Sequence, residues 1–239
     1  VIIPVVFYIL NFYGFSKDII MHVAIASSLG VIFITSLSSM YAHYKLKNIE
    51  VDVIKKWFTG IILGSIFGAF FASSMNGNVL VIIFGIIAST VAISMFLDIN
   101  IVLAKNIPQN FFLNNFISFL IGCFSVLIGI GGGSFSVPTL TAFGKNIHRA
   151  VGTSASIGFL IALPGFITYA STGWMIEGLP KYSFGYVSLP IVLSVASVSV
   201  LTAPLGAKLS SKVNKNTLRK IFAIFLLLVC VSLVINQFY

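Results

Sequence analysis

Apolar runs long enough to cross a bilayer follow one another along almost the whole chain, with short polar stretches between them. Long runs occupy residues 19–43, 57–75, 78–97, 111–130, 147–171, 184–207 and 218–238. Two shorter apolar pieces lie at 1–15, interrupted by Pro4, and at 131–146, after a glycine cluster. Polar connections fall at 44–56, 98–110, 173–183 and 208–217, none large enough to be a separate domain. At 1.5 Å of rise per residue, about 20 helical residues span a hydrocarbon core about 30 Å thick. Strands of a membrane barrel would alternate polar and apolar positions, and these runs do not. The pattern predicts an all-α polytopic membrane protein.

One run is broken. Residues 127–138 read Leu-Ile-Gly-Ile-Gly-Gly-Gly-Ser-Phe-Ser-Val-Pro, four glycines and a proline where a membrane helix should continue. Glycine admits unusual dihedrals and close backbone approach, and proline removes a donor. Freed backbone groups at membrane depth must be buried in protein or line a polar cavity. This segment therefore reads as half of a binding site.

The chain also repeats itself. Met21-His22-Val23-Ala24-Ile25-Ala26-Ser27-Ser28 parallels Ile147-His148-Arg149-Ala150-Val151-Gly152-Thr153-Ser154 at an offset of 126 residues, which carries on to pair His43 with Tyr169. After a longer loop in the second half, Gly68 pairs with Gly206 and Asn78 with Asn216. Upstream, Ile3-Pro4 matches Val137-Pro138, with about eight more residues between proline and histidine in the first half. The reading is a first repeat at 1–97, a connecting loop at 98–110 and a second repeat at 111–239. The first half's own opening helix and glycine run are expected upstream of residue 1. Paired repeats with interrupted helices mark the binding site of many secondary transporters.

Charge bears on how the repeats are related. Loop 44–56 carries Lys45, Lys47, Lys55 and Lys56, whereas 75–78 carries no cation. In the second half, 173–183 has only Lys181, while 208–220 has Lys208, Lys212, Lys215, Arg219 and Lys220. Corresponding loops thus have opposite bias, and the positive-inside rule makes the two repeats inverted. Each repeat then needs an odd number of crossings, so 131–146 should cross at least part of the bilayer. The same rule accounts for the net charge of +9 without nucleic acid as a partner. The chain is 58% hydrophobic and 8% charged, against about 25% charged in a soluble domain. Cys123 and Cys230 both lie in apolar spans, where neither a disulfide nor a metal site is expected. Trp57 and Trp174 stand at span ends as interfacial anchors, and the 23 phenylalanines are read mainly as lipid-facing and core bulk.

The acids are few: Asp18, Glu50, Asp52, Asp98 and Glu177, all in loops or at segment ends. Mid-membrane carboxylates, the usual carriers of protons and cations, are absent. His-Glu-x-x-His and Gly-x-Ser-x-Gly are missing as well, so enzyme readings and catalytic residues find no support, and no cofactor or metal is implied. Broken backbone, hydroxyls, histidine and arginine remain, and that inventory suits an anion. Gly131, Gly132 and Gly133 precede a candidate half-helix whose N–H groups and partial positive charge favour an oxyanion, with Ser134 and Ser136 adding hydroxyls. The alternative is that these glycines only permit close helix packing. Ser27, Ser28, Thr153 and Ser154 occupy equivalent positions and either line the cavity or bond back to their own helices. His22 and His148, also equivalent, could shuttle protons or gate, or simply sit at the interface; Arg149 could draw anions to the mouth.

The run Gly129-Ile130-Gly131-Gly132-Gly133-Ser134-Phe135-Ser136-Val137-Pro138-Thr139-Leu140 resembles the sulfite exporter TauE/SafE family of permeases. His148 to Ser154 with its first-half copy, Pro204-Leu205-Gly206-Ala207 and Asn216-Thr217-Leu218-Arg219-Lys220 extend the resemblance over essentially the whole chain. It implies a multi-pass protein of the cytoplasmic membrane, with two glycine-rich segments meeting at the repeat interface. The implied cargo is a small sulfur-containing oxyanion: sulfite, thiosulfate, sulfoacetate or another organosulfonate. A carboxylate permease and a non-transporting membrane scaffold are the alternative expectations. Partners are the anion and the lipid; oligomeric state is open.

Overall fold

The computed structural model describes residues 2–97, 104, 107–212 and 215–238. They form helices α1 (Ile2–Phe12), α2 (Lys17–Lys45), α3 (Val51–Ser73), α4 (Gly77–Phe96), α5 (Phe111–Leu127), α6 (Gly133–Ala142) and α7 (Ile147–Thr172). A two-stranded hairpin, β1 (Ser183–Phe184) and β2 (Val187–Ser188), precedes α8 (Leu189–Lys212) and α9 (Lys215–Phe238). By length and apolarity α2, α3, α4 and α7 can each cross a membrane. The chain is an all-α multi-pass membrane protein.

Helix starts and stops differ from the hydropathy boundaries where polar residues are helical. Lys55 and Lys56 ride exposed on the first turns of α3, so that helix begins at Val51 rather than 57. Most of 208–217 is also helical, as the ends of α8 and α9. Trp57 is no interfacial anchor: it is fully buried, and its Nε1 donates to Asn114 Oδ1 at 3.2 Å. Trp174 is exposed, as an anchor would be.

Contacts fix the relative directions of α2 and α7 and of α3 and α5. α2 and α7 form a central antiparallel pair. Phe33 stacks on Phe159 and Phe166, and Gly165 lies against Leu29. Gly152, near the start of α7, meets Asn48 just beyond α2. At the other end His22, near the start of α2, stacks on Tyr186 at 4.9 Å. α3 and α5 run parallel, because Gly60, Gly64 and Gly68 meet Asn115, Phe119 and Cys123 in turn. A spacing of four puts these glycines on one helix face, where missing side chains let the two backbones touch.

α5 stops at Leu127 in a tight cap: Ile130 N–H donates to Ser125 O and Gly129 N–H to Val126 O, both at 3.0 Å, with Gly129 at φ +51°. This left-handed turn is the glycine cap of a helix C-terminus. The chain then doubles back. Gly129 lies beside Ile25 and Ile3, Gly131 beside Ile32, and Gly132 beside Ser154 and Gly158. α6, about 15 Å long, returns toward the end where α5 entered, and α7 starts there.

The short helices α1 and α6 end in the same cap, at Gly14 (φ +77°) and Gly144 (φ +74°). Counted back from those glycines, Pro4 stands at the position of Ser134, not of Pro138. His22 is the sixth residue of α2 and His148 the second of α7, so α2 has one additional N-terminal turn. The extra first-half residues divide between that turn and the shifted proline.

The halves cap each other's helices. Ser27 Oγ accepts from Ser188 N–H at 3.1 Å, immediately before α8, and Thr153 Oγ1 accepts from Glu50 N–H at 2.9 Å, the residue before α3. Ser27 and Thr153 are 126 residues apart, whereas Glu50 and Ser188 are 138 apart, the same offset as Gly68 and Gly206.

At the Glu50 end an ion cluster joins in: Arg149 Nη1 lies 2.6 Å from Glu50 Oε1 and Lys145 Nζ 3.4 Å from Oε2. The Arg149 guanidinium, helped by Lys145 and opposed by burial, holds the Glu50 carboxyl below the usual carboxylate range. A depressed folded value stabilises the fold above the unfolded one, about 4.3, and is lost as pH falls through the depressed value. Melting of the detergent-solubilised protein between about pH 6 and pH 3 should show this loss below about pH 4.3, and Glu50→Gln should flatten it.

Candidate functional site

The reversal at 128–132 meets α1 and α2 in a cavity of about 220 Å³. That is room for about seven water molecules. Its polar side is built from three pieces of chain: the backbone of Gly129, Ile130 and Gly131, Ser134 on the first turn of α6, and Ser28 near the middle of α2. Ile2, Ile3 and Pro4 of α1 close one wall. Phe84 of α4 with Phe222, Phe225, Leu226 and Val229 of α9 close the apolar side.

Each polar piece is where it is for a local reason. The left-handed turn at Gly129 aims the chain back along α2. Ser28 Oγ donates to Gly129 O at 2.8 Å, so a hydroxyl of the first half holds the turn of the second. Gly131 lies close against Ile32, whose Cγ2 would stand a tight 3.3 Å from an added Cβ. Ser136 N–H bonds Gly132 O at 2.8 Å as the first helical bond of α6; N–H groups before it have no helical acceptor. The positive end of the α6 dipole therefore opens beside the cavity. Among the described residues no carboxylate lines it.

Of the nine residues expected to surround an anion, Gly131, Ser134 and Ser28 share this cavity. Gly133 faces open space, with nothing within 4 Å of an added Cβ. Gly132 is packed: a Cβ there would stand 2.9 Å from Gly158 N and Ile157 Cγ2 and 3.1 Å from Ser154 O. Ser136 is fully buried away from the cavity, its hydroxyl without a partner. Ser154 Oγ bonds back to Val151 O at 2.9 Å. Ser27 and Thr153 are the helix caps described above. The two hydroxyl pairs thus divide: Ser27, Thr153 and Ser28 all reach across to the other half, whereas Ser154 bonds back to its own helix.

The histidines diverge as well. His22 is buried, with Nδ1 2.8 Å from Asp18 O and Nε2 3.2 Å from Ala72 O. His148 is exposed at the start of α7, and Arg149 beside it is committed to Glu50. None of these three lines the cavity.

Gly129 and the aromatic wall were not singled out by sequence reasoning. Gly129 sits inside the quoted motif, but an isolated glycine does not announce a left-handed turn. Phe222 with Leu226 and Phe225 with Val229 keep helical spacing, yet α9 is apolar all round and offers no sign of its inward face. A second, larger groove of about 600 Å³ runs along the end of α7 past Phe166, Trp174 and Phe184, with Ser171 its one hydroxyl side chain. It has little to hold an ion.

The family model for the sulfite exporter TauE/SafE matches residues 1–233. A "Probable membrane transporter protein" of Haemophilus influenzae is 34% identical over 236 residues, covering 98% of this chain and 88% of that protein. Another of that description, from Methanocaldococcus jannaschii, is 31% identical over 90% of this chain and 79% of its own length. A third, from Bacillus subtilis, is 28% identical over 98% and 88%. No solved structure matches the chain. The match over nearly the full length places this multi-pass helical chain in the TauE/SafE sulfite exporter family of membrane transporters.

Proposed function

We propose that the protein is a secondary permease for a small sulfur-containing oxyanion, working by alternating access between two inverted repeats, 1–97 and 111–239. The observation that carries the reading is the cavity itself: backbone of 129–131, Ser134 and Ser28 converge there, with no carboxylate among the described residues. Gly129 N–H, Ile130 N–H and the Ser28 hydroxyl hold the turn itself, so the donors left to an anion are Ser134 and the N–H groups at the start of α6, where the helix dipole favours negative charge. The family's description as a sulfite exporter supports sulfur in the cargo. Antiparallel α2 and α7, and the reciprocal caps at their two ends, support an inverted relation of the halves. Lys45, Lys47, Lys55, Lys56, Lys145 and Arg149 cluster at one end of the bundle, which the positive-inside rule makes cytoplasmic.

The protein moves its substrate and does not transform it. Among the described residues every acid sits at a helix end or in a loop, and Glu50 is already paired. The simplest energetics is uniport, with the negative-inside potential contributing about 2.3 kcal/mol per charge per 100 mV to export.

The test is uptake of labelled sulfite, thiosulfate and sulfoacetate into proteoliposomes, with lactate as competitor and an imposed potential. Saturable uptake of a sulfur anion, faster when the interior is made positive, is the expected result. Uptake competed equally by lactate would assign a general carboxylate carrier instead. Absence of flux for every anion, in folded protein, would favour a scaffold.

A further inference from the structure

We infer that the cavity selects a singly charged anion with a short apolar tail, an alkanesulfonate of about three carbons, over bare sulfite and over sulfoacetate. This selectivity rests on the permease reading above and narrows its substrate class.

The walls of the cavity differ in chemistry. Ser134 and the start of α6 hold the donors left to a ligand. Every residue that α1, α4 and α9 bring to the cavity is apolar, among them the buried Ile3, Phe84 and Leu226 and the partly exposed Phe225. Bare sulfite meets the donors with its oxygens and has nothing to set against that wall. Carbon attached to the anionic head covers the wall and is itself removed from water.

Size sets the length of the tail. At about 30 Å³ per heavy atom with its hydrogens, the share of one water, a cavity of about 220 Å³ holds about seven such atoms. A sulfonate group takes about four of those places and leaves about three for carbon.

Charge sets the number of ionised groups. Among the described residues no lysine, arginine, histidine or carboxylate lines the cavity. The α6 terminus contributes a partial charge of about half a unit, which suits one sulfonate. A carboxylate at the far end of the ligand, as in sulfoacetate, would stand unpaired against the apolar wall, which disfavours it strongly.

The experiment is a calorimetric titration of the detergent-solubilised full chain with methane-, ethane-, propane-1- and hexane-1-sulfonate, with sulfite and with sulfoacetate. The dissociation constant should fall about fourfold for each carbon added from methanesulfonate to propane-1-sulfonate, equivalent to about 0.8 kcal/mol per buried methylene. Hexane-1-sulfonate, too long for the space, should gain nothing further. Sulfoacetate, close to propane-1-sulfonate in size, should bind about tenfold more weakly or worse. Phe225→Ser puts a hydroxyl into the wall and should flatten the dependence on chain length. Affinity independent of chain length in the parent, or sulfoacetate binding as tightly as propane-1-sulfonate, would overturn the proposal. Proteoliposome uptake separates this outcome from failure of the permease reading. Sulfite flux without the chain-length trend would leave a permease and remove the tail selectivity, whereas the trend without flux of any of these anions would keep the ligand class and remove transport.

Discussion

Gly132→Val is expected to abolish transport by breaking the fold rather than by removing a ligand. Gly132 sits where the returning chain presses on α7, and its missing Cβ is what allows the contact. A Cβ would stand 2.9 Å from Gly158 N, a backbone atom that cannot rotate away, with Ile157 and the Ser154 carbonyl close behind. Overfilling a packed interior costs about 1–3 kcal/mol when side chains can yield, and more where backbone is the obstacle. Melting of the detergent-solubilised variant should fall sharply, and yield with it. Gly133→Ala is the control, because nothing lies within 4 Å of that Cβ and alanine favours helix. It should melt at or slightly above the parent. A Gly132→Val protein with parental melting would show that α6 and α7 are not packed as described.

Ser28→Ala is expected to weaken transport while leaving the bundle folded. The hydroxyl donates at 2.8 Å to the Gly129 carbonyl. Removing it leaves a buried carbonyl unpaired, which costs about 1–3 kcal/mol. That loss falls on the turn that aims Gly129–Gly131 into the cavity, so the site loosens before the fold does. Transport should drop about tenfold or more, with a melting change small beside that of Gly132→Val. Ser28→Thr keeps the donor and should retain most of the flux. Loss of flux in Ser28→Thr equal to that in Ser28→Ala would mean that cavity volume, not the hydrogen bond, is what matters at this position.

These two residues also show how far the sequence could be read. Helical spans, their order and the break at 127–138 follow from hydropathy and glycine spacing, because membrane backbone must be helical wherever it is not sheltered. The repeat offset of 126 located Ser27 opposite Thr153 and Ser28 opposite Ser154. Sequence could not say that the first of each pair faces the other half and Ser28 the cavity, since that depends on helix rotation about its axis. Hydropathy carries little rotational information in a helix apolar on every face. Gly132 and Gly133 are indistinguishable in the chain, yet one is wedged against α7 and the other is open. Trp57 reads as an interfacial anchor until α5 covers it, and that cover depends on Gly60, Gly64 and Gly68 aligning on one face of α3. Pro4 and Pro138 pair in sequence but not in space, because Pro4 stands 10 residues before the Gly14 cap and Pro138 only 6 before the Gly144 cap.

The central claim is that an oxyanion is bound where Ser28, Ser134 and the 129–131 backbone converge. The most direct measurement compares labelled sulfite uptake in proteoliposomes holding the parent and the Ser28→Ala/Ser134→Ala double variant, matched for melting and for reconstituted amount. Losing the Ser28 bond that sets the turn together with the Ser134 hydroxyl should cut saturable uptake by about a hundredfold, at about 1.4 kcal/mol each. Parental uptake in a folded double variant would contradict the claim and move the anion path away from this cavity.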